Sequence, residues 1–218
     1  MVITIDGAAG VGKTTTAKGL AKELGYQYFD TGAMYRAVTL YFLAEDVDLQ
    51  SSSNINESLK AMKLQIDFSS GNEMILLLDK EDISLKIRNQ EVTSHVSAVS
   101  ALKEVREMMV SFQRSTTEQG NFVVEGRDIG SVVFPHAKYK FYLTADYDIR
   151  AKRRLVDFKK INEAKNINKI KEDLIVRDKY DSTRKLSPLI KPDGAIIIDT
   201  SECSIEEQVN QILKHIER

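Results

Sequence analysis

The sequence holds one cysteine, Cys203, and so can close no disulfide within the chain. A lone thiol also argues against a thiolate metal centre and suits a reducing compartment. A bias of charge is missing too: 31 Lys and Arg stand against 32 Asp and Glu, a formal net charge of −1. No global field therefore draws in nucleic acid or an anionic membrane, and any anionic ligand must be met by a local group of basic side chains. No apolar run approaches the roughly 20 residues that a membrane-spanning helix needs. No basic leader, signal-type apolar stretch or cleavage site stands at the start. Internal repeats, heptads and an orphan apolar face are also lacking. The expectation from these absences is a cytoplasmic monomer with no membrane or nucleic-acid partner.

What is present is ordinary in amount: 218 residues, 42% hydrophobic and 29% charged, enough for a single domain with a real core. Five short apolar runs read as buried strands: Val2–Asp6, Gln27–Asp30, Phe122–Glu125, Lys140–Leu143 and Ala195–Asp199. Helical patterns alternate with them. Thr14–Leu24 has no breaker except Gly19, and Leu102–Gln119 repeats Val105, Met108, Met109 and Phe112 at helical spacing. A last helix opens on Ser204 and Glu207, a capping box. Alternation of this kind predicts an α/β fold, a five-stranded parallel sheet with helices on both faces.

Two stretches break the alternation. Residues 64–84 place Leu64, Ile66 and Phe68 at period two, then a Ser-Ser-Gly-Asn turn and a second apolar run, which predicts an inserted antiparallel hairpin. Residues 159–171 are polar and basic with little apolar spacing, and read as an exposed helical hairpin or a flap.

Right after the first strand stands Gly7-Ala8-Ala9-Gly10-Val11-Gly12-Lys13-Thr14-Thr15, a full match to G-x-x-x-x-G-K-[ST]. Glycines let the backbone curl so that successive N–H groups point inward, and the following helix presents its positive end to the same spot. Lys13 can reach the β- and γ-phosphates of a nucleotide, and the Thr14 hydroxyl can ligate Mg²⁺ brought with ATP. The fold class thus narrows to a P-loop NTPase fold. A GTPase would need N-K-x-D, but the one Asn-Lys pair, Asn168-Lys169, is followed by Ile170-Lys171. Ile196-Ile197-Ile198-Asp199 resembles a Walker B strand but comes near the end of the chain, where a last core strand is the simpler reading. The chain is short for a motor and has no broad basic face. A small-molecule kinase remains, and it requires a second anion site for the acceptor.

Asp30-Thr31-Gly32-Ala33-Met34-Tyr35-Arg36 follows the second strand. The hydroxyls of Thr31 and Tyr35 and the guanidinium of Arg36 can converge on one phosphate, although a capped helix with an exposed arginine explains the motif equally well. Glu125-Gly126-Arg127-Asp128 ends the third strand, at the sheet edge where ligands of open α/β folds bind. Arg150, Arg153, Arg154, Arg177 and Arg184 form the local basic group that the neutral net charge demands. Arg150 and Arg154, at i and i+4, would repel each other unless a polyphosphate lay between them. His95, His136 and His215 are isolated and receive no catalytic role.

Taken together, ITIDG with the glycine-rich loop, DTGAMYR, IRNQEVTSHVS, EGRDIGSVVFPHA and the RDKYDSTR stretch resemble the bacterial cytidylate kinases over nearly the whole chain. The resemblance implies a core of about 1–57, 97–150 and 172–218, a monophosphate-binding insertion of about 58–96 and a lid of about 151–171. It implies ATP-dependent, in-line phosphorylation of CMP and dCMP to CDP and dCDP. Carried over residue by residue, Thr31, Tyr35, Arg36 and Arg127 match positions that hold the CMP phosphate. Ser97, Arg106 and Asp128 match those that read cytosine, and Arg177 and Asp181 those near the sugar. ATP falls to residues 7–15 with Arg150 and Arg154, and Lys13, Arg127 and Arg177 are expected to carry the transfer. Ala8 and Glu125 stand where the family usually has Pro and Asp, and the lid stretch lacks the family's usual glycine.

Overall fold

The computed structural model describes residues 1–68, 73–160 and 165–217. In chain order the strands are β1 (Val2–Gly7), β2 (Gln27–Asp30), β3 (Leu64–Phe68), β4 (Met74–Leu78), β5 (Glu81–Asp82), β6 (Phe122–Gly126), β7 (Tyr139–Thr144) and β8 (Ile196–Asp199). The helices are α1 (Lys13–Leu24), α2 (Thr31–Ala44), α3 (Ser52–Ala61), α4 (Gln90–Val99), α5 (Lys103–Thr116), α6 (Tyr147–Lys160), α7 (Ile167–Thr183) and α8 (Ile205–Leu213). One sheet has the order β2-β6-β1-β7-β8, and a second has the order β3-β4-β5. β7 runs parallel to β1 and to β8, with Phe141 opposite Ile5 on one side and Ile196 on the other. All five strands read from apolar runs are present in the large sheet, as the α/β P-loop fold requires.

The chain forms two compact units, Met1 with Gly25–Phe122 and Val2–Leu24 with Val123–Arg218. In the second unit, β1, β6 and β7 bury Ile3, Ile5, Val123, Val124, Phe141 and Leu143 completely. In β6 the apolar residues are consecutive, whereas in β1 they alternate with the buried polar residues Thr4 and Asp6, and in β7 buried Tyr139, Phe141 and Leu143 alternate with half-buried Lys140, Tyr142 and Thr144. α8 starts where expected: the Ser204 Oγ accepts from the Glu207 N–H at 3.2 Å and the Glu207 carboxylate accepts from the Ser204 N–H at 2.7 Å. α6 and α7 pack through Ala151, Ile170 and Leu174, with Leu155, Phe158 and Ile167 against them and Ala9 of the P-loop in the same cluster.

The described part of the polar stretch is helical, as the helical-hairpin reading expects, but it carries an apolar face. Ile167, Ile170 and Leu174 make an i, i+3, i+7 stripe whose short period is hidden among lysines and asparagines. Helices run unbroken through residues 151 and 171, so the expected lid limits fall inside elements, and residues 161–164 of that lid lie outside the described residues.

In the first unit, β3 and β4 pair antiparallel from Leu64–Leu78 to Phe68–Met74, and β5 extends the pair by two residues. The turn expected at 69–72 lies outside the described residues. Phe122 is buried, with the rings of Phe68 and Phe29 centred 5.7 and 6.4 Å from its own. α2 begins under an Asp30 cap, whose carboxylate accepts from the Ala33 N–H at 3.0 Å.

Candidate active site

In the second unit, β1 feeds straight into the glycine-rich loop, and the loop into α1. A Cβ on Gly7 would lie 2.4 Å from the Leu143 carbonyl oxygen, at a φ of 149°, so only glycine lets the chain leave β1 beside β7. Three carbonyls of the loop are tied. Lys13 Nζ donates to Ala8 O at 2.8 Å, Arg150 Nε to Ala9 O at 2.7 Å, and Thr200 Oγ1 to Val11 O at 2.7 Å. Thr200 is itself gripped by Arg153, whose Nη2 and Nη1 reach its carbonyl and hydroxyl oxygens at 2.5 and 3.0 Å. Arg150 is almost fully buried, paired with Asp178 at 2.7 Å and stacked 4.7 Å from the Tyr147 ring centre. Thr14 and Thr15 remain exposed at the first turn of α1, whereas Thr16 is buried and bonds Gln208 at 2.6 Å.

Lys13 sits in an unusual field. Burial pushes its ammonium down to about 7, and the positive charges of Arg127 and Arg177 push the same way, while Glu125 and Asp6 oppose them. A buried lysine flanked by two arginines is a group waiting for anions. Beside it, Arg127 Nε donates to the Asp181 carboxylate at 3.2 Å, and Arg184 Nη2 stands 3.6 Å from Asp128. Asp6 is wholly buried and accepts from the N–H groups of Ile129 and Gly130, each at 2.7 Å. Burial pushes the Asp6 carboxyl up to about 6 despite those two bonds.

In the first unit, Arg36 Nη1 donates to Thr93 Oγ1 at 2.8 Å and to Ile87 O at 3.2 Å. The carbonyl and hydroxyl come from the Ile-Arg-Asn-Gln-Glu-Val-Thr stretch, in which Asn89 caps α4 through a 2.7 Å bond to the Val92 N–H. Arg106 is buried, its guanidinium 5.4 Å from the Tyr35 ring centre and bonded to Ser100 O at 3.3 Å. Thr31 is buried at the first turn of α2, and Ser97 is half-buried on α4.

The family model for cytidylate kinase matches residues 3–218.

The chain belongs to the cytidylate kinase family.

It is 44% identical over 219 residues to a protein from Protochlamydia amoebophila named cytidylate kinase, covering 99% of this chain and 96% of that one. It is 44% identical over 216 residues to a cytidylate kinase from Caldanaerobacter subterraneus, covering 99% and 94%. Among solved structures it resembles a shikimate kinase from Bacteroides thetaiotaomicron, with a TM-score of 0.52, 14% identity and coverage of 98% and 97%, a likeness of fold alone.

For a cytidylate kinase, the sequence-derived residues fall into two groups. Residues 7–15, Arg127, Asp128, Arg150, Arg154, Arg177 and Asp181 belong to the second unit, and Thr31, Tyr35, Arg36, Ser97 and Arg106 to the first. Within the second unit, Arg127 and Arg177 act on Lys13 electrostatically, and Asp181 lies on Arg127. Arg154 lies beside the P-loop, its Cγ 3.6 Å from where a Cβ on Gly10 would stand, with its guanidinium 3.6 Å from Asp157 and over the Phe158 ring. Arg150 braces the P-loop backbone in this structure and does not stand open to a ligand. Sequence reading missed Asp6, Asp178 and Thr200 and gave Arg184 no individual role. Asp6 had a signal, a carboxylate closing an otherwise apolar strand. Thr200 had none, because its partners are backbone atoms 189 and 56 residues away in sequence.

Proposed function

We propose that this cytidylate kinase transfers the γ-phosphoryl group of ATP to CMP and dCMP by in-line displacement, without a covalent enzyme intermediate. The observation that carries the reading is the buried ammonium of Lys13, held under the P-loop and pressed by Arg127 and Arg177. Such a cluster is costly in the free protein and is relieved by a polyphosphate. The Lys13 Nζ, now on the Ala8 carbonyl, would turn to the β- and γ-phosphate oxygens. Loop N–H groups and the α1 N-terminus would cradle the same phosphates. Arg36 and Arg127 would aim the acceptor phosphate with Thr31 and Tyr35, and Arg177 would neutralise charge on the moving group. Ser97, Arg106 and Asp128 would read the cytosine edge, the carboxylate accepting from the exocyclic amine. Asp181, already on Arg127, would reach the sugar.

Mg²⁺ suits the residues present. The exposed Thr14 hydroxyl is a hard oxygen donor, and no group of three His, Cys, Asp or Glu able to hold a metal occurs among the described residues. That fits an ion held mainly by ATP oxygens and water. Bound there, the ion would supply charge neutralisation between the β- and γ-phosphates. Exclusion of water, whose attack would waste ATP, falls to the arginine-bearing helices α6 and α7.

The test is ADP release with CMP, dCMP, UMP or AMP as acceptor. Turnover with CMP and dCMP well above the others supports the reading. Preference for UMP or AMP would reassign the acceptor, and nucleotide binding with no turnover on any of the four would make the protein a binder.

A further inference from the structure

We propose that Asp6 is a positioning residue for acceptor recognition, whose carboxylate sets the direction in which Asp128 presents its side chain. The proposal rests on the reading that Asp128 meets the base. Asp6 closes β1, directly before Gly7 of the P-loop, and has no exposure to solvent. A carboxylate so placed must be matched by donors. Its donors are the backbone N–H groups of the two residues that follow Asp128: Ile129 to Oδ1 and Gly130 to Oδ2, each at 2.7 Å.

Those two amides open the single wide turn at Ile129–Val133, in which the Asp128 carbonyl accepts from Val132 and Val133 and the Ile129 carbonyl from Phe134. The opening amides of a helical turn have no partner within it, and Asp6 takes both. Asp128 itself sits at φ −142° and ψ 26°, neither helical nor extended, so nothing in its own backbone preference fixes it there. The fit is close on the far side as well. A Cβ on Gly130 would come within 2.8 Å of Thr4 Oγ1, 3.0 Å of Pro192 and 3.2 Å of Asp6 Oδ2. The segment is docked against β1 with no room for a side chain.

Asp6 is therefore bonded covalently to the donor loop and through two charge-assisted hydrogen bonds to the residues that follow the base-reading carboxylate. It touches neither substrate. A purely structural carboxylate would change melting temperature alone. A positioning carboxylate changes how well one base is told from another.

The experiment measures initial rates of the full chain with ATP and Mg²⁺ while CMP and UMP are varied, for wild type and Asp6→Asn. The amide keeps one acceptor and turns its NH₂ toward the second N–H. The expected result, read at saturating ATP because loss of the Asp6 charge also lowers the Lys13 ammonium, is a rise in KM for CMP and a fall in the CMP-to-UMP ratio of kcat/KM, each of about tenfold or more. An intact CMP-to-UMP ratio, with or without a lowered melting temperature, overturns the proposal. If Asp6→Asn fails to fold, Gly130→Ala pushes the same segment from its other side. The same split is then expected, and a normal ratio in the folded variant is the overturning result. A wild-type enzyme that does not favour CMP over UMP overturns the reading of Asp128 itself, and this distinguishes the two failures.

Discussion

Lys13 should take up a proton when ATP binds. Burial and the neighbouring arginines hold its ammonium at about 7 in the free protein, well below the ordinary 10.5. The phosphates of ATP add negative charge beside it and return it toward the ordinary value. At pH 8 a group of pKa about 7 is protonated in about a tenth of molecules, so binding draws in about 0.9 proton; at pH 7 the uptake is about 0.5, and at pH 6 about 0.1. Affinity for ATP then falls by up to tenfold per unit as pH climbs above about 7. Calorimetric titration in buffers of different ionisation enthalpy reads the uptake directly. Lys13→Met, which has no proton to gain, is the control. An uptake at pH 8 that is near zero, or that survives in Lys13→Met, refutes the reasoning. The same group acts on stability in the free enzyme. Between pH about 7 and 10.5 the unfolded chain holds a proton here that the folded chain does not, so this contribution to stability rises with pH across that window.

Lys13→Ala is expected to remove several kcal/mol of transition-state stabilisation while the protein still folds, and turnover near the wild-type rate would refute the role of Lys13. Asp128→Ala should lower kcat/KM for CMP far more than for UMP, whereas Arg127→Ala should weaken both together; steady-state kinetics on the two acceptors separates these outcomes. Phe122→Ala, which empties the site facing Phe29 and Phe68, should cost about 3–5 kcal/mol in denaturant unfolding. Gly7→Ala should lose nucleotide binding and much of the fold, since its methyl group meets the Leu143 carbonyl, and a normal melting temperature would contradict that geometry.

Much of this was legible because local chemistry and tertiary structure agree. The five strands are mainly apolar runs, most deeply buried in β1, β6 and β7, and the P-loop is specified by glycines within eight residues. The Ser204–Glu207 box marks a helix start from four residues alone. Legibility ended where a side chain serves a distant backbone. The spacing of Arg150 and Arg154 gives no sign that the first bonds Ala9 O and Asp178 while the second lies beside Gly10 and Asp157. The apolar stripe of α7 was masked by its charged neighbours, and the signal of Asp6, a carboxylate closing β1, could not say which amides it would bind. Spacing reports which residues share a face, but not which carbonyl a guanidinium will choose.

The three tied carbonyls of the glycine-rich loop have a consequence through the peptide plane. In a trans peptide the C=O and the next residue's N–H point in opposite directions across one rigid unit. Fixing the Ala8, Ala9 and Val11 oxygens on their donors therefore also fixes the directions of the N–H groups of Ala9, Gly10 and Gly12. Part of the loop's ordering is thus met during folding, through Arg150 and through Thr200 with Arg153, and would not recur at each encounter with a nucleotide. Only the Lys13 tether must be released when the ligand arrives. A lesion at Thr200 or Arg153 is accordingly expected to surface as weakened nucleotide binding.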